Sequence, residues 1–291
     1  MNARFKKAIT ASVAVMAAST AIFLGNTGGA AATAPSLLAF GLIGDGKGMS
    51  SFSTSDPATL NWARNVTGFA SCDTRLIGID FRPKNGLLYG VGDCGGVYTL
   101  PTVPPPSGTY PITKVGQLSV PLEGTSFGVD FNPAADRLRI ISDTGQNLRH
   151  DVDLSSTIKD MPLTLNGAPA KGFTAAAYTN NDNHADTATT LFTIDTVNDQ
   201  VAIQAPANNG TQNPTGKVGF NAGLNGDSDI FADLSGPGGT TISNTAFATL
   251  LPPSGFQSFY TVDVLTGAAS LVGTFPTFAP VTDVAVSLDT N

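Results

Sequence analysis

Asp80 and Asp130 stand in two near-copies of one string, Leu76-Ile77-Gly78-Ile79-Asp80-Phe81-Arg82-Pro83 and Ser126-Phe127-Gly128-Val129-Asp130-Phe131-Asn132-Pro133. A carboxylate repeated once per unit can do two kinds of chemistry. It can line a shared axial funnel, where several such groups hold a cation or act as acid and base. Before an x-Pro turn it can instead accept backbone N–H bonds and pin the corner. A site tends to break symmetry whereas a fold device repeats, so the turn-pinning role is the expectation.

The stretch Ser142 to Arg149 is a turn between two strands, with Asp143-Thr144-Gly145 as its turn residues. Asp143, Asn147 and Arg149 could project toward one rim, and together with Asp80 and Asp130 they are the candidate ligand-binding residues. Asn180 to Asp186 is rich in oxygen ligands, and calcium takes six to eight oxygens. The EF-hand spacing is absent, so an exposed hairpin loop is the simpler reading. Asp227, Asp229 and Asp233 are open to the same pair of readings. No cofactor and no assigned metal ligand are expected, with calcium the one ion these oxygens would suit.

Nucleophilic chemistry is poorly supported. Gly124-Thr125-Ser126-Phe127-Gly128 matches G-x-S-x-G, but that elbow needs a strand-to-helix turn, and here a strand follows. The two histidines, His150 and His184, have no second His or Cys nearby, whereas zinc wants three or four such ligands. His150 reads as an outward-facing strand residue. The single Trp62 is a thin endowment for stacking on sugars. No catalytic residue is assigned.

The elements that position these groups repeat. Asp80 and Asp130 are 50 residues apart, and weaker copies of the strand lie at Phe173 to Thr179, Asp229 to Leu234 and Val281 to Leu288. Aligned on alternation, the key positions are 80, 130, 178, 233 and 287. That period is one four-stranded propeller blade with its loops. The last unit has only its first strand, and the N-terminal stretch offers three strands at about 37–43, 49–53 and 63–69. Three plus one complete a blade and remove the open edges. The expected fold is all-β, a five-bladed β-propeller of four-stranded antiparallel blades, closed by pairing N- and C-terminal strands. Six blades is the alternative if 154–172 or 235–250 hides another unit; a β-sandwich is more distant.

Arg4, Lys6 and Lys7, an apolar run from Ala8 to Leu24 and Ala32-Thr33-Ala34 before Pro35 have the form of a signal peptide. Residues 1–34 are therefore expected to be removed, leaving 35–291 as one domain; an uncleaved anchor is the alternative. The leader carries three basic and no acidic residues, so the mature chain has 12 basic against 22 acidic residues, net −10. That balance argues against nucleic acid and anionic membrane as partners. In an oxidising compartment Cys72 and Cys94 are expected to pair. They flank a hairpin whose paired residue numbers sum to about 168, and their own numbers sum to 166, which places them nearly opposite.

The segments Gly78 to Gly92 and Phe127 to Arg149, with Asn208-Asn209-Gly210-Thr211, resemble a family of secreted bacterial proteins. That family is catalogued only as a domain of unknown function and is grouped with β-propellers. The resemblance runs from about Leu37 to Leu288. It implies export and the propeller and carries over no catalytic residue.

The functional expectation is an exported, monomeric scaffold, secreted or periplasmic, binding a small ligand or a protein partner on one face without catalysis. A metal-assisted hydrolase or lyase with acidic residues in the axial funnel is the first alternative. A structural cell-envelope protein is the second.

Overall fold

The computed structural model describes residues 35–106, 108–184 and 186–290, and the expected leader, 1–34, lies outside them. Five antiparallel sheets form the blades of a propeller. The first blade holds Leu76–Arg82, Leu87–Gly92, Gly96–Leu100 and Thr113–Gln117. The second holds Phe127–Asn132, Arg137–Ser142, Asn147–Asp151 and Ser156–Lys159. Phe173–Tyr178, Leu191–Asp195, Gln200–Gln204 and Thr211–Lys217 make the third, extended by the small hairpin Thr164–Leu165 and Ala168–Pro169. The fourth is Asp227–Leu234, Thr241–Leu250, Ser258–Val262 and Ala269–Thr274.

The fifth blade joins the two ends of the domain. Asp283–Val286 is its inner strand and pairs antiparallel with Leu38–Ile43, which continues into Gly48–Ser53 and Asp56–Thr67. Gly41 opposite Val284 fixes that register. Each inner strand packs on the next, and Asp283–Val286 packs on Leu76–Arg82, which closes the ring.

Alternation along the strands gives each blade two faces, and both are buried against neighbours. The apolar core accordingly falls into five clusters, one per blade boundary. Between the first and second blades Tyr89, Val91 and Val97 meet Val129, Phe131 and Leu138. Between the fourth and fifth, Phe247 and Phe259 meet Phe52, Val281 and Val284. Burying one such Phe contributes roughly 1.5–3 kcal/mol, and the edge-on contact of Phe131 with Tyr89 at 5.3 Å adds orientation. The proline-rich loop after the first blade's third strand also serves a boundary: Tyr110–Pro111 pairs in parallel with Val66 and Thr67 of the fifth blade. Trp62 stacks on Tyr110 at 5.3 Å and so belongs to packing.

The hairpin turns explain the x-Pro motif. In the first, the amides of Asn85 and Gly86 return to the Arg82 carbonyl, and Gly86 takes φ +68°. In the second, Asp136 takes the same left-handed place at φ 50°. An Asp tolerates that conformation better than most side chains. It also supplies a carboxylate that Arg82 grips through Nε at 2.7 Å and Nη2 at 2.6 Å. Arg82 bonds Asp153 as well, at 2.7 and 2.8 Å, so one buried guanidinium ties the first two blades together.

Two expectations need correction here. His150 is fully buried rather than outward-facing, because its side chain points into the boundary with the first blade, beside Gly116, and its Nδ1 lies 3.0 Å from Thr157 Oγ1. Burial pushes its imidazole below the usual histidine range. Asp80 and Asp130 do not pin their turns; they point to the axis, as described next.

Candidate functional site

Asp80 and Asp130 sit on the inner strands with their side chains turned along the ring toward the following blade. Asp80 Oδ2 accepts the amide of Phe131 at 2.7 Å, and its Oδ1 accepts the amide of Phe81 at 2.7 Å. One blade further on, Asp130 Oδ1 accepts the amide of Tyr178 at 3.2 Å. The same step recurs between the fourth and fifth blades, where Asp229 Oδ2 accepts Val286 N at 2.5 Å and its Oδ1 accepts Ile230 N at 2.6 Å. These bonds define one tier of equivalent positions: Asp80, Asp130, Ala177, Asp229 and Ala285. Their second-strand partners are Tyr89, Arg139, Phe192, Phe247 and Phe40, which confirms the equivalence.

Two residues earlier lies a second tier: Gly78, Gly128, Ala175, Asp227 and Asp283. Asp283 Oδ1 accepts Ile79 N at 3.0 Å, and Asp227 Oδ2 approaches Val284 N at 3.4 Å. Glycine is needed where this tier has no carboxylate in the first two blades. A Cβ on Gly128 would lie 2.5 Å from the Ala176 nitrogen, and one on Gly78 would lie 2.4 Å from Val129 Cγ2.

The alignment on alternation therefore shifts in three blades. Position 178 becomes 177, where a bulge between Phe173 and Ala175 moves the phase by one. Positions 233 and 287 become 229 and 285, because alternation fixes only which face a residue takes and not how far along the strand it lies. Asp233 is thus at the outer end of its strand, opposite Ser243.

The five axial carboxylates are all buried, none more than 4% exposed. One oxygen from each of Asp80, Asp130 and Asp229 lies within 4.8 Å of the other two. Among the described residues no Lys, Arg or His forms an ion pair with any of the five. Burial pushes the Asp80 carboxyl well above the usual range, with the Asp229 charge adding to it. Asp130 rises through burial and the charges of Asp80 and Asp229. Burial lifts Asp229 to about 6, while the two amides it accepts hold it down. Asp227 is raised by burial and by Asp283. Asp283 is raised by burial, and the Asp227 carboxyl lies within hydrogen-bonding reach of it. Asp227 Oδ1 and Asp283 Oδ2 otherwise have no hydrogen-bond partner.

At the end where the inner strands begin, the axis opens into a depression of about 250 Å³. Its walls come from the first blade (Arg75), the second (Thr125, Ser126), the segment entering the fourth (Asn225) and the fifth (Thr282), with Asp283 among its lining. Arg75 is held by Asp45 at 2.8 Å. At the opposite end the loop from Asn180 to His184 reaches across. Asn183 Nδ2 donates to the Pro83 carbonyl at 2.6 Å, Asn181 Nδ2 to the Ile230 carbonyl at 3.1 Å, and Asp182 accepts from Thr241 N and Oγ1 at 2.8 and 2.7 Å. Asp182 Oδ2 is thus engaged in bridging blades, while its Oδ1 accepts His184 N at 3.0 Å within the loop.

Of the sequence-chosen ligand residues, the structure brings only Asp80 and Asp130 together. Asp143 is at the edge of the mouth, where it accepts Thr125 N at 2.9 Å and Thr125 Oγ1 at 2.7 Å. Asp93 holds Thr74 identically in the first blade, at 2.7 Å for both bonds, so this is a repeated clasp for the strand entering the axis. Asn147 is fully buried between the second and third blades. It accepts Arg139 Nη1 at 2.8 Å and donates to the carbonyls of Met161 at 3.1 Å and Ala207 at 3.0 Å. Arg149 pairs with Asp160 at 3.0 Å, beside the buried Arg139–Asp160 bridge at 2.7 Å. Ser126 lies at the mouth with no helix after it. Sequence reasoning missed Asp283 and left Asp227 and Asp229 open between cation-binding oxygens and ordinary exposed polar groups; their i, i+2 spacing on one strand was the available signal.

Residues 48–285 match the family described as Domain of unknown function (DUF4394). The chain belongs to that family. No curated protein matches this DUF4394 chain in sequence. Among solved structures it is similar to a glutaminyl cyclase from Myxococcus xanthus, at 12% identity and TM-score 0.42, covering 78% of this chain and 82% of that one. A structural genomics protein of unknown function from Bacteroides thetaiotaomicron is similar at 13% identity and TM-score 0.44, over 87% and 67%. The WD40 domain of Toxoplasma gondii coronin is similar at 13% and TM-score 0.40, over 79% and 55%. Cys72 and Cys94 form a disulfide, with Cα atoms 5.8 Å apart. Among the described residues no helix is long and apolar enough to cross a membrane.

Proposed function

We propose that this DUF4394 chain is an exported, monomeric binding propeller that takes a small polar ligand into the mouth of its axial channel and leaves it chemically unchanged. The observation that carries this reading is convergence: polar groups entering from four blades meet in one concave site on the axis. Arg75 offers donors at the wall, Thr125, Thr282 and Asn225 offer both donors and acceptors, and Asp283 offers an acceptor among the lining. At about 250 Å³ the depression lies just under the roughly 300–1,000 Å³ of drug-sized pockets, which selects small ligands. The leader with Arg4, Lys6 and Lys7 and the Cys72–Cys94 disulfide support export to an oxidising compartment.

Thermal melts of the purified protein against amino acids, monosaccharides, small carboxylates and phosphate test the binding, since a ligand specific for the native state raises Tm. The expected hit loses its shift in Arg75→Ala and in Asn225→Ala. A silent panel, or a shift indifferent to both variants, rules the mouth out and turns attention to a protein partner. Turnover of the hit would replace binding by catalysis. Mass spectrometry of the exported chain checks the leader, with Pro35 the expected first residue.

A further inference from the structure

Four of the five axial aspartates each latch one blade boundary, and Asp227, 3.4 Å from Val284 N at the boundary Asp229 already latches, goes beyond that need. A joint needs one latch per blade boundary and not carboxylates in both tiers. Instead carboxylates occupy Asp80, Asp130 and Asp229 in one tier and Asp227 and Asp283 in the other, while the third blade carries Ala175 and Ala177. The third blade is latched to the fourth by Thr174 Oγ1 on the Gly226 carbonyl at 3.0 Å, so the fold has a neutral way to make this joint. The other four boundaries use a buried carboxylate for a joint that this one makes without charge.

Burying several carboxylates side by side is costly unless an opposite charge joins them. Among the described residues no basic side chain does so, and the backbone amides satisfy only part of the demand. Two oxygens, Asp227 Oδ1 and Asp283 Oδ2, are buried with no hydrogen-bond partner beyond the reach of the two carboxyls to each other. They belong to the tier nearer the open mouth, and Asp283 itself lines the depression, so they stand between solvent and the triad of Asp80, Asp130 and Asp229. Oxygens bonded to amides keep a second lone pair for another partner.

We propose that the axial channel binds one hard divalent cation of the calcium class, with Asp80, Asp130 and Asp229 as its carboxylate ligands and Asp227 and Asp283 as the acidic pair through which it enters. The donor set is oxygen only, as hard cations prefer. Calcium–oxygen distances of about 2.3–2.6 Å allow ligand oxygens to be up to about 5 Å apart across the ion, and the triad's oxygens lie within 4.8 Å of one another. The ion would stitch the first, second and fourth blades at the centre of the ring. The site is deeper than the ligand mouth, and this inference goes beyond the binding reading and stands without it.

The test is isothermal titration of the oxidised, EDTA-stripped protein with CaCl2, and with MgCl2 and MnCl2 in parallel arms. One cation per chain at millimolar or tighter affinity is expected, together with a rise in Tm that EDTA reverses. Asp229→Asn and Asp130→Asn should each weaken binding at least tenfold, while Asp233→Asn, at the outer end of the same strand as Asp229, leaves it unchanged. Should those variants fail to fold, Mn²⁺ added to the wild type must broaden the amide resonances of Phe81, Phe131 and Ile230 before all others. Failure of all three cations to bind, meaning that shared protons alone neutralise the cluster, overturns the proposal. So does binding that the Asp variants leave intact, or Mn²⁺ broadening centred elsewhere.

Discussion

Asp80 in the first blade and Phe131 in the second are joined by a 2.7 Å hydrogen bond from the Phe131 amide to Asp80 Oδ2. The bond crosses a blade boundary, between two strands that do not pair in any sheet. Its counterparts at Asp130–Tyr178, Asp229–Val286 and Asp283–Ile79 make the same crossing. The ring is therefore held at its centre by side chain-to-backbone bonds, and at its periphery by apolar packing. Asp80→Ala would strand the amides of Phe81 and Phe131 in a buried place, at a cost of about 1–3 kcal/mol. Urea unfolding measures this. An unchanged midpoint would show that the centre contributes nothing to closure.

Arg82 gives a pH signature. Its hydrogen bonds hold Asp136 below the usual carboxylate range, with partial burial opposing and Lys84 assisting. Asp153 is lowered by the same two cations. A depressed folded pKa contributes stability that is present above the unfolded value near 3.9 and is lost as pH falls below it. Arg82→Met should therefore cost about 2–3 kcal/mol at pH 7, less than a fully buried pair because Asp153 is half exposed. The gap between variant and wild type should close as pH falls from about 4 toward 2. A gap independent of pH would assign the loss to packing of the Arg82 stem.

Much of this architecture was legible because repetition was legible. The copies around Asp80 and Asp130 gave the period, and the unpaired strands at the two ends gave closure, which the structure makes with Gly41 opposite Val284. The Cys72–Cys94 bridge followed from hairpin register, whose pairs sum to 168 at Leu76–Gly92 and to 169 beyond the bulge. What stayed hidden was position along a strand. Alternation says that Asp229 and Asp233 share a face, and nothing in it says that only Asp229 reaches the axis. Asn147 and Arg149 looked like rim residues because polar side chains usually face water. Their partners, Asp160 and Arg139, come from a loop and a neighbouring strand that the fold alone brings near. The axial cluster itself is a property of the ring, assembled from residues up to about 200 positions apart.

Gly128 reports on how tightly the inner strands meet. Its φ is ordinary, so the constraint is space: a methyl would press on the backbone at Ala175 and Ala176, with contacts at 2.5–2.8 Å. Backbone cannot swing aside as a long side chain can. Gly128→Ala should destabilise by about 1–3 kcal/mol or more through overpacking. Gly86→Ala is the control, since a Cβ there meets nothing within 4 Å and only the left-handed φ of +68° resists it. That strain costs roughly 1 kcal/mol. Equal losses in the two variants would contradict the close approach at the axis.

The Cys72–Cys94 disulfide closes a loop with a sequence separation of 22, immediately before Arg75 enters the mouth. In the chain-entropy account such a loop contributes roughly 3 kcal/mol. The fold does not depend on it alone. Asp73 accepts Cys94 N at 2.6 Å and the Tyr98 hydroxyl at 2.6 Å, and Asp93 clasps Thr74, so the same loop is tied by carboxylates on both sides. Cys72→Ala/Cys94→Ala should therefore fold and melt cooperatively, with Tm lower by roughly 6–12 °C for a domain of this size. The wild type treated with a reductant should fall to the same value. Asp80 lies on Leu76–Arg82, inside the loop the bridge closes, but the Asp80–Phe131 and Asp283–Ile79 bonds also hold that strand to both neighbouring blades. Cation affinity should therefore survive the loss of the bridge, whereas ligand binding at Arg75 should weaken as the loop loosens. Equal loss at both places would mean that the mouth and the channel are one cooperative unit.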